Sequence, residues 1–234
     1  MRSAYIAPEP DTVTSPQRPY HHGHLRRAVI DMALQIAGET GEDRVSLREI
    51  ARRLGVSSGA PFRHFASHEA LMQAIAEEAL ESLRLQMERE QHGLGPGALA
   101  PLKALGAAFL DWALSHPTAF RLTSARRLYR FDRSERLRAQ FAALRSHTLQ
   151  RVQQAQAAGH FPGLPPEQVA LGLRAMAYGL ARMQIDGQLP QWEVADAQVR
   201  HTLQATLAQL IDNLAGAAPS PPLRKKEAKS AAPL

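Results

Sequence analysis

Residues 46 to 71, SLREIARRLGVSSGAPFRHFASHEAL, constrain the fold more than any other stretch, because they hold two helix starts and a tight turn in one short segment. Ser46 and Glu49 stand three apart, the spacing of a capping box in which the hydroxyl accepts from the Glu49 N–H and the Glu side chain reaches back. Leu47, Ile50, Ala51 and Leu54 follow at i, i+3, i+4 and i+7, which gives one buried stripe and leaves Arg48, Arg52 and Arg53 outside. Gly55 suits the left-handed backbone at a helix end, and Val56 plugs the angle between two helices. Ser57 and Ser58 open the next element, which runs through Arg63 and His64 with Phe62 and Phe65 as apolar anchors. With Ser58 as cap, Pro61 sits where its missing N–H is harmless, so the pattern predicts regular helix from about residue 59.

The first turn of that second helix carries Ser58, Gly59 and Ala60, side chains too small to anchor a core but small enough to let a backbone approach base edges. In a helix-turn-helix the amino-terminal part of the second helix enters the major groove. A net charge of +6 agrees with an anionic partner, although charge alone is weak evidence. The chain has no cysteine, which removes disulfides, thiolate metal sites and thiol nucleophiles. No apolar run approaches the roughly 20 residues of a membrane span, and the first twenty residues lack the apolar centre of a secretory signal. The expected location is the cytoplasm, with no membrane partner.

Everything between two Pro-rich ends reads as helix. Residues 1–19 read as a disordered arm and 217–234 as a disordered tail whose Lys cluster is solvated. The expected fold is all-α with about nine helices: a three-helix helix-turn-helix domain at 20–66 and a larger helical domain at 67–216. Helix one is expected from about His22 to Thr40, stopped by Gly41, and the fourth helix is capped by Ser67, with Leu71, Ile75, Ala79 and Leu83 on its buried side. The Gly-rich loop at 92–98 marks a boundary. Further helices are expected at about 99–115, 118–129, 134–158, 165–186 and 193–215.

At residues 46–71 the pattern resembles the amino-terminal domain of TetR-type transcriptional regulators, and residues 20–41 are similar to that family's first helix. The segment HPTAFRL at 116–122 resembles one in the ligand domain of the WHG-type subgroup, whose penultimate helix carries Trp and His; LRAMAYGLARM at 173–183 carries neither. The resemblance implies a homodimeric, ligand-responsive regulator, most simply a repressor on a palindromic double-stranded DNA operator. It places Ser58, Gly59 and Ala60 near base edges, Arg63 on a base or a phosphate, and Arg48, Ser57, His64 and His68 on the backbone of the duplex. Phe62 stands where the family commonly has Tyr, so it meets a thymine methyl or a sugar instead of a phosphate. His68 stands where Lys is common, which weakens one phosphate contact or makes it depend on pH.

In the larger domain, Phe109, Trp112, Phe120, Phe141, Leu144, Met176 and Tyr178 are first of all core candidates, and secondly the lining of a pocket for an unidentified small-molecule effector. Gly172, Ala175 and Gly179 form a small-residue strip, and Leu203, Leu207, Leu210 and Leu214 an apolar one; together they are the candidate dimer interface, in which two helices meet their symmetry mates as a four-helix bundle. The arginines at 121, 126, 127, 130, 133, 136 and 138 read as an exposed face held by ion pairs, in preference to a site for an acidic effector. His21, His22 and His24 lack a fourth ligand, so no metal and no cofactor is expected. No catalytic motif stands out: a helical enzyme assembling distant groups such as Asp111 and His147, or an effector-free scaffold with a DNA-binding head, is the competing class.

Overall fold

The computed structural model describes residues 22–91 and 97–216, and among them it is all-helical. The predicted arm and tail, the loop at 92–96 and the side chains of His21, His22 and His24 lie outside the described residues. Eight α-helices follow in order: α1 (His22–Thr40), α2 (Leu47–Leu54), α3 (His68–Arg89), α4 (Ala100–Ser115), α5 (Pro117–Ser124), α6 (Glu135–Ala157), α7 (Pro166–Ile185) and α8 (Val199–Gly216).

Three expectations shift. The second helix of the turn motif is a 3₁₀ turn, Pro61–Arg63, rather than a regular helix. Pro61 has no N–H to return to the Ser57 carbonyl, which accepts from Ala60 instead at 2.9 Å; one α-type bond, Phe65 to Pro61, closes the element at 3.0 Å. The helix expected at 118–129 ends at Ser124, followed by 3₁₀ turns at Arg126–Leu128 and Phe131–Arg133. The last helix begins at Val199 and not near residue 193, because Glu193 takes a left-handed backbone (φ 57°) that breaks any continuous run.

The packing divides into two clusters that share one helix. The head cluster gathers Val29, Ile30, Ala33 and Ile36 of α1, Leu47 and Ile50 of α2, Phe65, and Leu71, Met72, Ile75 and Leu80 of α3. The body cluster takes Ala79, Leu83 and Met87 from the same helix and joins them to α4, α6, α7 and α8. With 22 residues, α3 is about 33 Å long and runs through both. Ser67 caps it, accepting from the Ala70 N–H at 3.1 Å.

The division is not clean at residue 67. Leu122, Tyr129 and Leu137, from the segment spanning α5 to α6, are buried in the head cluster. Thr118 of α5 lies so close to α1 that a Cβ on Gly38 would sit 3.2 Å from its hydroxyl. Glu77 of α3 fastens the start of α6: the capping Ser134 donates to its carboxylate at 3.1 Å, and Gln140 donates to its carbonyl at 3.1 Å.

Candidate functional site

The reading segment is built on α2. Ser46 accepts from the Glu49 N–H at 3.1 Å, as its spacing predicts. The reciprocal half of the box does not form, because the Glu49 carboxylate is taken by Arg52 at 2.7 and 2.8 Å and by Arg53 at 2.9 Å. Hydrogen bonds from Arg52, then from Arg53, pull the Glu49 carboxyl down from 4.5 to about 2. Gly55 closes α2 in the left-handed region (φ 66°), and the Gly55 and Val56 N–H groups return to the Arg52 and Ala51 carbonyls.

These ion pairs sort the cations of the head. Arg53 also binds Glu39 of α1, while Arg26 and Arg27 of α1 grip Glu78 of α3 at 2.6 and 3.2 Å. They therefore hold helices together. Arg48 and Arg63 are exposed and pair with no carboxylate among the described residues. Arg44, which the sequence reading passed over, is in the same condition. An exposed arginine with no internal acid keeps its five donors for an external phosphate or base edge.

The remaining predicted contacts fall around these cations. Ser57, Ser58 and Gly59 are exposed, and Ala60, His64 and His68 are half-buried. Phe62 is 46% exposed whereas Phe65 is buried at 4%, so only one of the two aromatics anchors the core. Nothing lies within 4 Å of a Cβ built on Gly59, which leaves open space outside this backbone.

In the body, a cavity of about 380 Å³ opens between α3, α4, α6, α7 and α8, and a smaller one of about 210 Å³ shares four of its residues, Leu83, Phe109, Phe141 and Arg174. Phe109, Phe141 and Leu144 line the larger; Phe109, Trp112, Phe120, Phe141 and Tyr178 line the smaller. Phe120 packs edge-on to Phe109 at 6.2 Å between centroids and tilts against Tyr178 at 5.2 Å. Met176 lines neither, because Ala170, Leu173, Arg174 and Ala177 carry the cavity stripe of α7 and Met176 falls off it.

Residues 29–75 match the family model of bacterial regulatory proteins of the tetR family, and residues 102–210 match that of the tetracyclin repressor-like C-terminal domain. An HTH-type transcriptional repressor of Mycobacterium tuberculosis is 34% identical over 139 residues, covering 58% of this chain and 70% of that protein. The chain belongs to the tetR family. The A-factor receptor protein of Streptomyces griseus is 36% identical over 92 residues, 38% of this chain, and the match spans only 30% of that protein's length. A solved tetR-family regulatory protein from Rhodococcus RHA1 shares the fold with a TM-score of 0.69 at 18% identity, over 83% of this chain and 98% of its own.

On the outer face of this TetR-family protein the candidate interface residues divide. Gly172 and Gly179 have nothing within 4 Å of a built Cβ, and Ala175 is exposed, so the small-residue strip of α7 points away from the chain's own core. Leu210 is 37% exposed and Leu214 half-buried. Leu203 and Leu207, by contrast, are 2% exposed and belong to the chain's own interior. Val199, Leu203, Leu207, Ile211 and Ala215 form the inward stripe of α8, and Leu207 fills the space over Gly106 of α4, where a Cβ would meet it at 2.5 Å. The step of four marks an apolar stripe on α8, and in this chain α4 covers it at Leu207. Asp111 pairs with Arg200, which ties α4 to the start of α8. The tetracyclin repressor-like match at 102–210 lends no support to the WHG-type subgroup.

The arginine-rich stretch 121–138 is held by ion pairs only in part: Arg127 binds Glu42 at 2.9 Å and Asp43 at 3.6 Å, and Arg136 lies 3.8 Å from Glu77, whereas Arg121, Arg126, Arg130, Arg133 and Arg138 pair with no carboxylate among the described residues. Of these, Arg126 rests over the Phe131 and Phe141 rings at 4.0 and 4.3 Å. Arg174 was missed altogether, since a lone arginine on a helix carries no signal of its surroundings.

Proposed function

We propose that this TetR-family regulator is a ligand-responsive repressor that binds a palindromic operator as a homodimer and acts in the cytoplasm, where its DNA is. The observation that carries the reading is the sorting of the head's cations: Arg52 and Arg53 are occupied internally, and Arg48 and Arg63 are left facing outward beside Ser57, Ser58, Gly59 and Ala60. Ser58, Gly59 and Ala60 present small surfaces to base edges, Arg63 a forked donor, and Arg48, Ser57, His64 and His68 the phosphate contacts; Phe62 offers an apolar face to a thymine methyl or sugar. The unfilled strip of Gly172, Ala175 and Gly179, with Leu210 and Leu214, supports a symmetric contact between two copies, which sets two reading heads about 34 Å apart on one face of the duplex.

Effector control follows from α3. Its amino-terminal half lies in the head cluster, and its Leu83 and Met87 line the larger cavity, so a ligand that fits the cavity better in one tilt of the helix shifts the separation of the heads. The M. tuberculosis relative is named a repressor and the S. griseus relative a receptor, which supports both halves of the reading. Arg63→Ala is the direct test. In gel-shift titrations at fixed salt on a duplex from the gene's own promoter region, it weakens specific binding by about tenfold or more, with the dimer mass by light scattering unchanged. Undiminished binding removes Arg63 from the interface and the head's assigned role with it.

A further inference from the structure

Arg174 stands on the cavity-facing side of α7, where the two cavities meet. Its guanidinium lies 4.6 Å from the centre of the Phe109 ring and 5.9 Å from that of Tyr178, and it pairs with no carboxylate among the described residues. Arg174 lines both cavities and is still exposed to solvent, and its pKa is lowered from the ordinary value: desolvation against its neighbours contributes most, the Tyr178 hydroxyl opposes it, and Arg126 adds to it. An arginine remains protonated under such conditions, so a charge stands at the edge of a largely apolar pocket, balanced by aromatic faces and by solvent and by no carboxylate among the described residues.

Two further groups with donors to spare line the smaller cavity, the exposed Arg126 and the buried Thr123. Arg126 rests on Phe131 and Phe141 without an acid, and Thr123, also on that wall, has a buried hydroxyl with no hydrogen-bond partner among the described residues. A buried donor without a partner is costly and rare. Two unpaired guanidinium groups and one unpaired hydroxyl on a single cavity wall form the donor set of an anion site. The larger cavity beside them supplies an apolar wall, Leu83, Met87, Leu102 and Leu105 among its residues. The one carboxylate lining it, Glu167, precedes Arg174 by seven positions, about 10 Å along α7, so it does not compete at the Arg126 end.

We propose that the effector is an amphipathic organic anion, with its apolar body in the larger cavity and its carboxylate or phosphate head between Arg126 and Arg174, accepting from Thr123. The assignment rests on the ligand-responsive reading above and names the chemistry of its ligand. It also supplies a route to the head. Arg127, the next residue after Arg126, grips Glu42 and Asp43 beside the start of α2, so drawing Arg126 off its aromatic rest moves the backbone that holds this clasp.

Calorimetric titration of the full chain with a matched series, decanoate, decyl phosphate, 1-decanol and decyltrimethylammonium, tests the assignment. Decanoate or decyl phosphate, or both, bind at least tenfold more tightly than 1-decanol, and the cation binds worst. Arg174→Met and Arg126→Met abolish the preference for the anion while leaving 1-decanol binding unchanged, and Arg174→Lys retains part of it. Unaltered melting temperatures show that the variants are folded. Binding of 1-decanol as tight as that of both anions, failure of both anions to bind, or a full anion preference in Arg174→Met overturns the proposal. A gel shift on the same preparations keeps the two claims apart: a protein that takes the anion through Arg174 but shows no specific DNA binding sinks the repressor reading and leaves the site standing.

Discussion

In the reading head, Arg52 and Arg53 share the Glu49 carboxylate and Arg53 reaches on to Glu39, whereas in the body Arg126 and Arg174 rest on Phe131, Phe141 and Phe109 and pair with no acid among the described residues. Paired arginines tie one element to another, and their charge is neutralised before any partner arrives. Arginines parked on rings are held weakly and keep their forked donors free, which is the condition for binding something from outside. The head shows both conditions on one small surface, since Arg48 and Arg63 escape the internal pairing. In the head, pairing and not residue type separates the arginines that hold helices together from those left facing outward.

The same contrast applies to packing and can be broken by substitution. Ile50 is completely buried in the head, while Leu144 lies half-buried on the wall of the larger cavity. Ile50→Ala costs about 3 kcal/mol in urea denaturation, because the hole it leaves is walled on every side; Leu144→Ala costs about 1 kcal/mol, since it only widens a space already open. Equal losses would mean that the cavity closes in solution. The helix caps differ in the same direction. Ser134 is buried, accepts from the Leu137 N–H at 3.1 Å and also donates to Glu77, whereas the exposed Ser46 only caps. Ser134→Ala destabilises by about 2 kcal/mol and Ser46→Ala by about 1 kcal/mol in the same assay.

The smallest effect is electrostatic. The Glu49 carboxyl is depressed to about 2 by Arg52 and Arg53, so whatever it adds to stability is present above the unfolded value near 4.5 and is lost as pH falls from there toward 2. Because the group is only half-buried at the surface of the head, solvent screens most of this. Acid titration followed by circular dichroism is therefore expected to show a slightly flatter decline for Glu49→Gln over that interval, and an identical curve would mean that the pairs with Arg52 and Arg53 contribute nothing.

What was legible in the sequence depended on how local its cause is. The bounds of α1, the Ser46 and Ser67 caps and the Gly55 turn follow from residues within four positions of each other, and the structure has them as read. The 3₁₀ geometry at Pro61–Arg63 is local too: Pro61 has no N–H for the Ser57 carbonyl, which takes the Ala60 N–H instead, an exchange that a cap at Ser58 does not register. Leu203 and Leu207 show a different difficulty: periodicity reveals that a helix has an apolar stripe, not whether Gly106 of its own chain or a second copy covers it. For Arg126 and Arg174 no local signal exists, because their state is defined by which carboxylates fail to approach from elsewhere in the fold.

One helix with side chains in both clusters also limits how the protein can be taken apart. With Leu71 and Ile75 in the first cluster, Leu83 and Met87 in the second, and Leu122, Tyr129 and Leu137 reaching back into the first, a chimera spliced at residue 67 would sever contacts on both sides of the joint. Exchanging the specificity of this regulator by grafting another protein's reading module therefore means carrying the complementary surface of α5 and α6 along with it.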